Sequence, residues 1–187
     1  MSTKRLVVGI TGSSAPQLAI TLLTVVRELP GVEVHLVVSR GAETSIAVET
    51  GLKRPEVEAL ADCVYAPEDM AAAISSGSFP VDGMVIVPCS MNTLASVAAG
   101  ISDNLIARAA DVTLKERRRL VLVTRETPLS LIHIRNMETV TLAGATVLPP
   151  VPAFYHKPET IEDLLRHTAG KVLDQFGIPH NAFMRWG

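Results

Sequence analysis

Cysteine is nearly absent from this chain. Cys63 and Cys89 are the only two, too few for a disulfide framework and without metal-type spacing. Neither sign of charge is in excess: 17 Lys+Arg against 19 Asp+Glu leave a net charge of -2. That balance gives no electrostatic footprint for nucleic acid. The one basic cluster, LKERRRL at 114–120, carries its own Glu116 and reads as a solvated helix end. The opening stretch MSTKRLVVGIT holds too few apolar residues for a signal-peptide core or a membrane span. Aromatics make up 4% of the residues, with a single Trp at position 186. No repeat and no low-complexity segment interrupts the chain. These absences predict a cytoplasmic protein with no resident metal, no membrane span and no nucleic-acid partner.

What is present is apolar. Of 187 residues, 48% are hydrophobic and 19% charged, with a mean hydropathy of +0.31. The length fits one domain, 1–187. The apolar excess points to subunit interfaces, because a monomer of this size needs more polar surface.

β-branched runs alternate with helical patterns. Strands are predicted at 5–10, 32–39, 61–67, 83–88, 120–124 and 145–150. Between them come helices: one carrying Leu18, Leu22, Val25, Val26 and Leu29 on one face, then 41–51, 68–77, the segment after Pro88, 103–119 and 130–144. A final helix over 160–177 is expected to turn Ile161, Leu164, Leu165, Val172 and Phe176 inward. Alternation of this kind predicts an α/β three-layer sandwich with a mostly parallel sheet.

In such sheets the ligand sits beyond the carboxyl ends of the strands. Those ends read TGSS (11–14), SR (39–40), PCSMNT (88–93) and RETP (125–128). They are rich in hydroxyls, amides and backbone donors, and poor in acids. Ser13, Ser14, Ser39, Ser90, Asn92 and Thr93 can bond a phosphate or a polar ring edge. The helix after Gly12 adds unpaired N–H groups and a positive dipole end. Arg125 can pair with an oxyanion. Gly12 stands alone, without the further glycines of a dinucleotide loop, and no Gly-Lys-Ser/Thr of a P-loop follows. A mononucleotide such as FMN in a flavodoxin-like (Rossmann-like) sheet fits better. The second half contributes Arg108 and Lys115, two turns apart on one helix. It also contributes Tyr155 on a loop, which with Lys171 offers a second phosphate site, and Trp186 near the end.

These motifs carry a resemblance. PCSMNTLASVAAGISDNLIARAADVTLKERRRLVLVTRETPLSLIHIRNM (88–137) and LPPVPAFYHKP (148–158) closely resemble the flavin prenyltransferase family, the UbiX-type proteins. The similarity runs from the first strand to the terminal RWG. It implies a flavodoxin-like subunit in a homododecamer that binds reduced FMN. It further implies transfer of a dimethylallyl group from dimethylallyl monophosphate to flavin N5 and C6, without a metal. The product, prenylated FMN, goes to a UbiD-type decarboxylase. By the same resemblance, Gly12, Ser13, Ser14, Ser39, Ser90, Met91, Asn92, Thr93 and Arg125 hold the flavin. Glu126 moves protons, and Arg108, Lys115, Tyr155 and Lys171 hold the prenyl phosphate, several from a neighbouring subunit. Ser14 and Trp186 complete the catalytic set, with Trp186 enclosing the prenyl group and the tail 178–187 packing on that neighbour.

Two alternatives stand beside this reading. One is an FMN-dependent cysteine decarboxylase-like flavoprotein, which relies on an early histidine; here the early His35 falls inside a strand. The other is a non-catalytic flavin-binding subunit of a decarboxylase. One local departure is visible: relatives commonly read Gly-Ala-Ser-Gly at the first turn, where this chain has Gly12-Ser13-Ser14-Ala15 and then Pro16. Ala15 is expected to force ordinary backbone angles there. Pro16 removes one N–H at a helix start that tolerates proline. The FMN phosphate is therefore expected nearer Ser39 and 90–93, with Ser14 at the flavin ring edge or the prenyl phosphate.

Overall fold

A computed structural model describes residues 3–186. Six strands form one sheet: β1 (Lys4–Ile10), β2 (Val32–Val38), β3 (Cys63–Tyr65), β4 (Gly83–Cys89), β5 (Arg119–Thr124) and β6 (Thr146–Val147). Their spatial order is β3-β2-β1-β4-β5-β6, and every pairing is parallel. The sheet is thus wholly parallel rather than mostly so. β1 and β4 carry continuous apolar runs because both of their faces are covered, while β2 includes Glu33 and His35 among its apolar residues.

One covering layer holds α1 (Gln17–Arg27) and α7 (Ile161–Gln175), which pack on each other. Leu22, Val25, Val172 and Leu173 are buried there against Leu6, Val8 and Val121. The other layer holds α4 (Met91–Ala99), α5 (Leu105–Lys115) and α6 (Leu131–Leu142). Leu94, Ile106, Ala110 and Val140 close over Met84, Ile86 and Leu120. α2 (Arg40–Thr50) follows β2, and a five-residue α3 (Arg54–Glu58) follows α2.

Helix ends obey local chemistry. Ser39, Ser90, Asn104, Ser130 and Thr160 each accept a hydrogen bond from an N–H of the first turn. Gly51 and Gly100 end α2 and α4 in the left-handed region.

Three expectations need correction. The segment 68–77 is not an α-helix. It is a run of turns around a 3-10 turn at Ala73–Ser75. Asp69 accepts from the Ala71 N–H, and buried Ile74 pins the stretch against α5. Those contacts outweigh the helix propensity of its alanines. α3 was not anticipated, although Pro55 at its start and the Glu56 capping bond were readable signs. Ile161, assigned to the inner face of α7, is 77% exposed; Val172 and Phe176 are buried as expected, and His167, Ala169 and Leu173 join them.

The chain builds β1, β2 and β3 outward on one side, then returns to place β4 on the other side of β1. The gap between the carboxyl ends of β1 and β4 is therefore the topological switch point, where such sheets bind ligands.

Candidate functional site

Backbone and hydroxyl bonds tie the strand ends together at that switch point. The Thr11 hydroxyl donates to the Pro88 carbonyl at 2.8 Å and accepts from the Ser90 N–H at 2.8 Å. The Ser39 N–H donates to the Ile10 carbonyl at 3.0 Å, and the Arg125 N–H to the Cys89 carbonyl at 3.3 Å. Ser13 donates to the Arg125 carbonyl at 3.0 Å. The ends of β1, β2, β4 and β5 are fixed relative to one another.

They enclose a cavity of about 310 Å³ lined by Thr11, Gly12, Ser39, Gly41, Ser90, Asn92, Thr93, Asn104 and Ile106. Larger hollows exist near α7 and the 156–160 loop, but they lie away from the switch point. The described lining carries no ionisable side chain. Its polar groups are hydroxyls, amides and the N-terminal N–H groups of α2, α4 and α5. α4 and α5 have no acid in their first turns, although Asp103 lies just before the Asn104 cap of α5.

Gly12 and Gly41 meet face to face in the wall of this cavity. A Cβ on Gly12 would lie 2.9 Å from Gly41 Cα and 3.0 Å from Gly41 C. The two backbones touch because neither residue has a side chain. Bare backbone beside helix N-termini is the cradle that a phosphate or a planar ring edge requires. The donors fit FMN, with Ser39, Ser90, Asn92 and Thr93 as the polar groups able to hold it.

Of the residues expected from the sequence, Gly12, Ser39, Ser90, Asn92 and Thr93 line the cavity. Met91 packs partly buried against the core. Arg125 is half-buried at the β5 end. Glu126 is exposed, and its carboxylate accepts from the Thr127 N–H at 3.0 Å. Thr11, Gly41, Asn104 and Ile106 were missed. The first two were legible as the residue just past a strand and a glycine just past a cap.

Ser14 turns toward α2. Its hydroxyl donates to Glu49 Oε2 at 3.0 Å, and the Ala15 N–H donates to the same oxygen at 2.9 Å. Ala15 does not adopt ordinary backbone angles, as the sequence suggested it must. Its φ is +69°, the left-handed region that glycine occupies without penalty. The Glu49 bonds hold the alanine there. Relief of about 1–2 kcal/mol of strain, against roughly 0.4–1 kcal/mol of added chain entropy when unfolded, decides the sign. Ala15→Gly is expected to raise the urea midpoint, and a lowered midpoint would contradict this. Pro16 stands as anticipated at the start of α1, where its carbonyl accepts from the Ala19 N–H at 3.0 Å.

Cys89 ends β4 beside Ser90 and is fully buried. Burial pushes its thiol up to about 12, so it supplies no thiolate nucleophile. A thiol reagent applied to the folded protein is expected to modify Cys63 and spare Cys89. Rapid labelling of two thiols per chain would refute that.

The second group of expected residues lies apart. Arg108 donates to the Ser75 carbonyl at 3.1 Å and pairs with Asp111 at 2.7 Å. Lys115 pairs with Glu116. Tyr155 shares a hydrogen bond of 2.8 Å with His167 Nε2, and its ring meets that of Trp186 edge-on at 5.7 Å. Lys171 lies 3.6 Å from Asp174. That carboxylate already accepts from Arg185 at 2.7 Å, the main cause of its lowered pKa. Lys171 thus shares that carboxylate with Arg185 and His180. Ile178 and Ala182 of the tail are buried on their own chain, whereas Met184 and Trp186 are largely exposed.

An all-parallel doubly wound sheet, with a neutral hydroxyl-lined cavity and helix N-termini at its switch point, defines a mononucleotide-binding flavoprotein. The family model described as Flavoprotein matches residues 1–173. A probable UbiX-like flavin prenyltransferase of Streptomyces sp. (strain D7) is 57% identical over 182 residues, covering 97% of this chain and 91% of that protein. The structure of AnUbiX in complex with FMN and dimethylallyl pyrophosphate superposes with a TM-score of 0.97 at 54% identity, covering 99% of this chain and 98% of that one. A dodecameric FMN-dependent UbiX-like decarboxylase from Escherichia coli O157:H7 gives a TM-score of 0.94 at 51% identity, covering 98% of each chain. This chain belongs to the flavoprotein family, and within it to the UbiX-type flavin prenyltransferases.

Proposed function

We propose that the protein is a metal-independent flavin prenyltransferase. It joins the dimethylallyl group of dimethylallyl monophosphate to N5 and C6 of reduced FMN, making prenylated FMN for a UbiD-type decarboxylase in the cytoplasm. The observation that carries this reading is the neutral, donor-lined cavity at the β1/β4 switch point, in a chain whose relatives bear the prenyltransferase name over nearly their whole length.

Reduced FMN, when bound, supplies the nucleophilic ring positions. The protein supplies the rest. Ser39, Ser90, Asn92, Thr93 and the N–H groups of α2 and α4 bind the flavin, with Arg125 and the 12–14 turn at its edge. Arg108, Lys115, Tyr155 and Lys171 receive the departing phosphate, whose charge must be met in a low-dielectric site. The faces of Tyr155 and Trp186 favour the allyl cation left behind and help exclude water. Glu126 accepts the proton that the second bond releases.

Within one chain the phosphate group of residues is not assembled with the flavin cavity. Leu131, Ile132, Leu142, Val151 and Phe154 are between 62% and 83% exposed, an apolar surface suited to burial between subunits. A dodecamer like that of the E. coli relative lets a neighbour's Tyr155, Lys171 and tail complete the site. The cysteine decarboxylase alternative loses its support. The curated relatives from Streptomyces and E. coli, above half identity, carry the prenyltransferase name, and His35 is buried in β2, outside the cavity.

Incubation with reduced FMN and dimethylallyl monophosphate, followed by mass spectrometry of the released flavin, tests the proposal. A gain of one dimethylallyl unit is expected. A flavin mass unchanged from FMN would defeat it and favour the non-catalytic reading.

A further inference from the structure

We propose that Glu33, His35 and Cys63 form a zinc-binding site on the outer strands of the sheet, separate from the flavin cavity. Sequence spacing conceals it, because parallel pairing assembles it. Glu33 and His35 are two apart on β2 and so share a face. Cys63 opens β3 directly opposite His35 in the register. The three ligand atoms lie within 4.8 Å of one another.

The strongest observation is the state of His35. Its side chain is 2% exposed, and its Nε2 is buried with no hydrogen-bond partner. Its Nδ1 is bound to the Tyr65 hydroxyl at 2.8 Å. A hydrogen bond at one imidazole nitrogen, with the other left bare, is how a metal-ligating histidine is oriented by its outer shell. The bare Nε2 faces Glu33 Oε1 at 3.3 Å without a geometry that makes a hydrogen bond. In the tautomer whose Nδ1 hydrogen donates to the Tyr65 hydroxyl, Nε2 presents a lone pair against a carboxylate lone pair. A cation between them removes that repulsion.

The separation of His35 Nε2 and Glu33 Oε1 suits zinc. Tetrahedral bonds of about 2.0–2.1 Å to N and O place those two ligand atoms roughly 3.3 Å apart. Imidazole, thiolate and carboxylate together favour zinc over the oxygen-seeking cations. The His35 ring is enclosed by the core, with its Nε2 turned toward Glu33. The other charges facing it are Arg5 and Asp62. Arg5 holds the second oxygen of Glu33 at 2.9 Å, fixing the carboxylate as an outer-shell partner does. Binding takes one proton from the Cys63 thiol to solvent. Thiolate and carboxylate then balance the dication, and water fills the fourth position. Glu33 and Cys63 are each partly exposed, which gives an entry path. A bound ion would fasten the three-residue edge strand β3 to β2.

The chelator-treated full chain is titrated with Zn²⁺ by calorimetry and with Co²⁺ by absorbance. One equivalent per chain is expected, with a thiolate-to-cobalt charge-transfer band and the intense visible bands of tetrahedral cobalt. Zn²⁺ should also slow alkylation of Cys63. Cys63→Ser is expected to lose the charge-transfer band and to weaken zinc by about 100-fold or more, beyond the usual cost of losing an outer-shell partner. Glu33→Gln should keep the band and bind more weakly. Prenyl transfer should persist in Cys63→Ser, which shows that the variant folds. Absence of the charge-transfer band in the unaltered chain would overturn the proposal. So would zinc binding undiminished in Cys63→Ser, which would place the ion elsewhere, as at His156 and His167.

Discussion

Replacing Gly12 by alanine is expected to weaken FMN binding by about 100-fold, or close to 3 kcal/mol at 1.4 kcal/mol per decade. The new Cβ would sit 2.9 Å from Gly41 Cα, inside any real carbon contact. The obstacle is backbone, so no side chain can swing aside. Either the 11–14 turn or the first turn of α2 must move, and overpacking of this kind typically costs about 1–3 kcal/mol. Both segments carry N–H groups of the cavity, so the loss falls on the ligand rather than on the core. Gly41→Ala provides a graded control. Its Cβ would meet Gly12 Cα at 3.2 Å, a milder clash, and it should lose less affinity. Titration of flavin absorbance checks both variants. Equal binding by Gly12→Ala and the unaltered protein would show that the glycine contact does not shape the site.

Glu126→Gln is expected to bind FMN normally and to lose roughly 10²–10⁴-fold in prenyl-transfer rate, the usual range for a positioned acid or base. Glutamine retains the size of the side chain and one oxygen able to accept from the Thr127 N–H. It cannot take up a proton. Glu126 follows Arg125, whose N–H is anchored to the β4 end, so its backbone is fixed beside the site while its side chain stays exposed. Single-turnover mass analysis at saturating dimethylallyl monophosphate separates chemistry from binding. A rate equal to that of the unaltered protein would remove Glu126 from the mechanism.

Much of the fold could be read from pattern alone. β1, β2, β4 and β5 are β-branched runs buried on both faces, a signal with few competing readings. The failures occurred where local and tertiary demands compete. The alanines of 71–73 favour helix, yet Ile74 is drawn under α5. Ile161 fits the apolar stripe of α7 by spacing, but the first turn of that helix projects beyond the core.

The flavin cavity was about half legible. Ser39, Ser90, Asn92 and Thr93 follow strands and cap helices, so position and chemistry pointed the same way. Asn104 escaped notice because it follows a loop rather than a strand. The prenyl-phosphate residues rested on resemblance, because Arg108, Lys115 and Lys171 each have an ion-pair partner within their own helix or beside it. No spacing rule shows that such cations also face a neighbouring subunit. Ala15 was misjudged for an instructive reason: the sequence shows the missing glycine but not Glu49, thirty-four residues on, whose carboxylate holds the left-handed turn.

That carboxylate gives α2 an unusual position. Its first turn abuts Gly12, and Glu49 near its last turn grips Ser14 and the Ala15 N–H, while Gln17 reaches the Glu49 carbonyl at 3.0 Å. The helix acts as a splint laid along the 12–17 turn. A splinted turn has little freedom to surrender when a ligand arrives, so affinity is not spent on ordering it. Capture of the flavin is then set by diffusion and desolvation, not by waiting for the loop to find its shape.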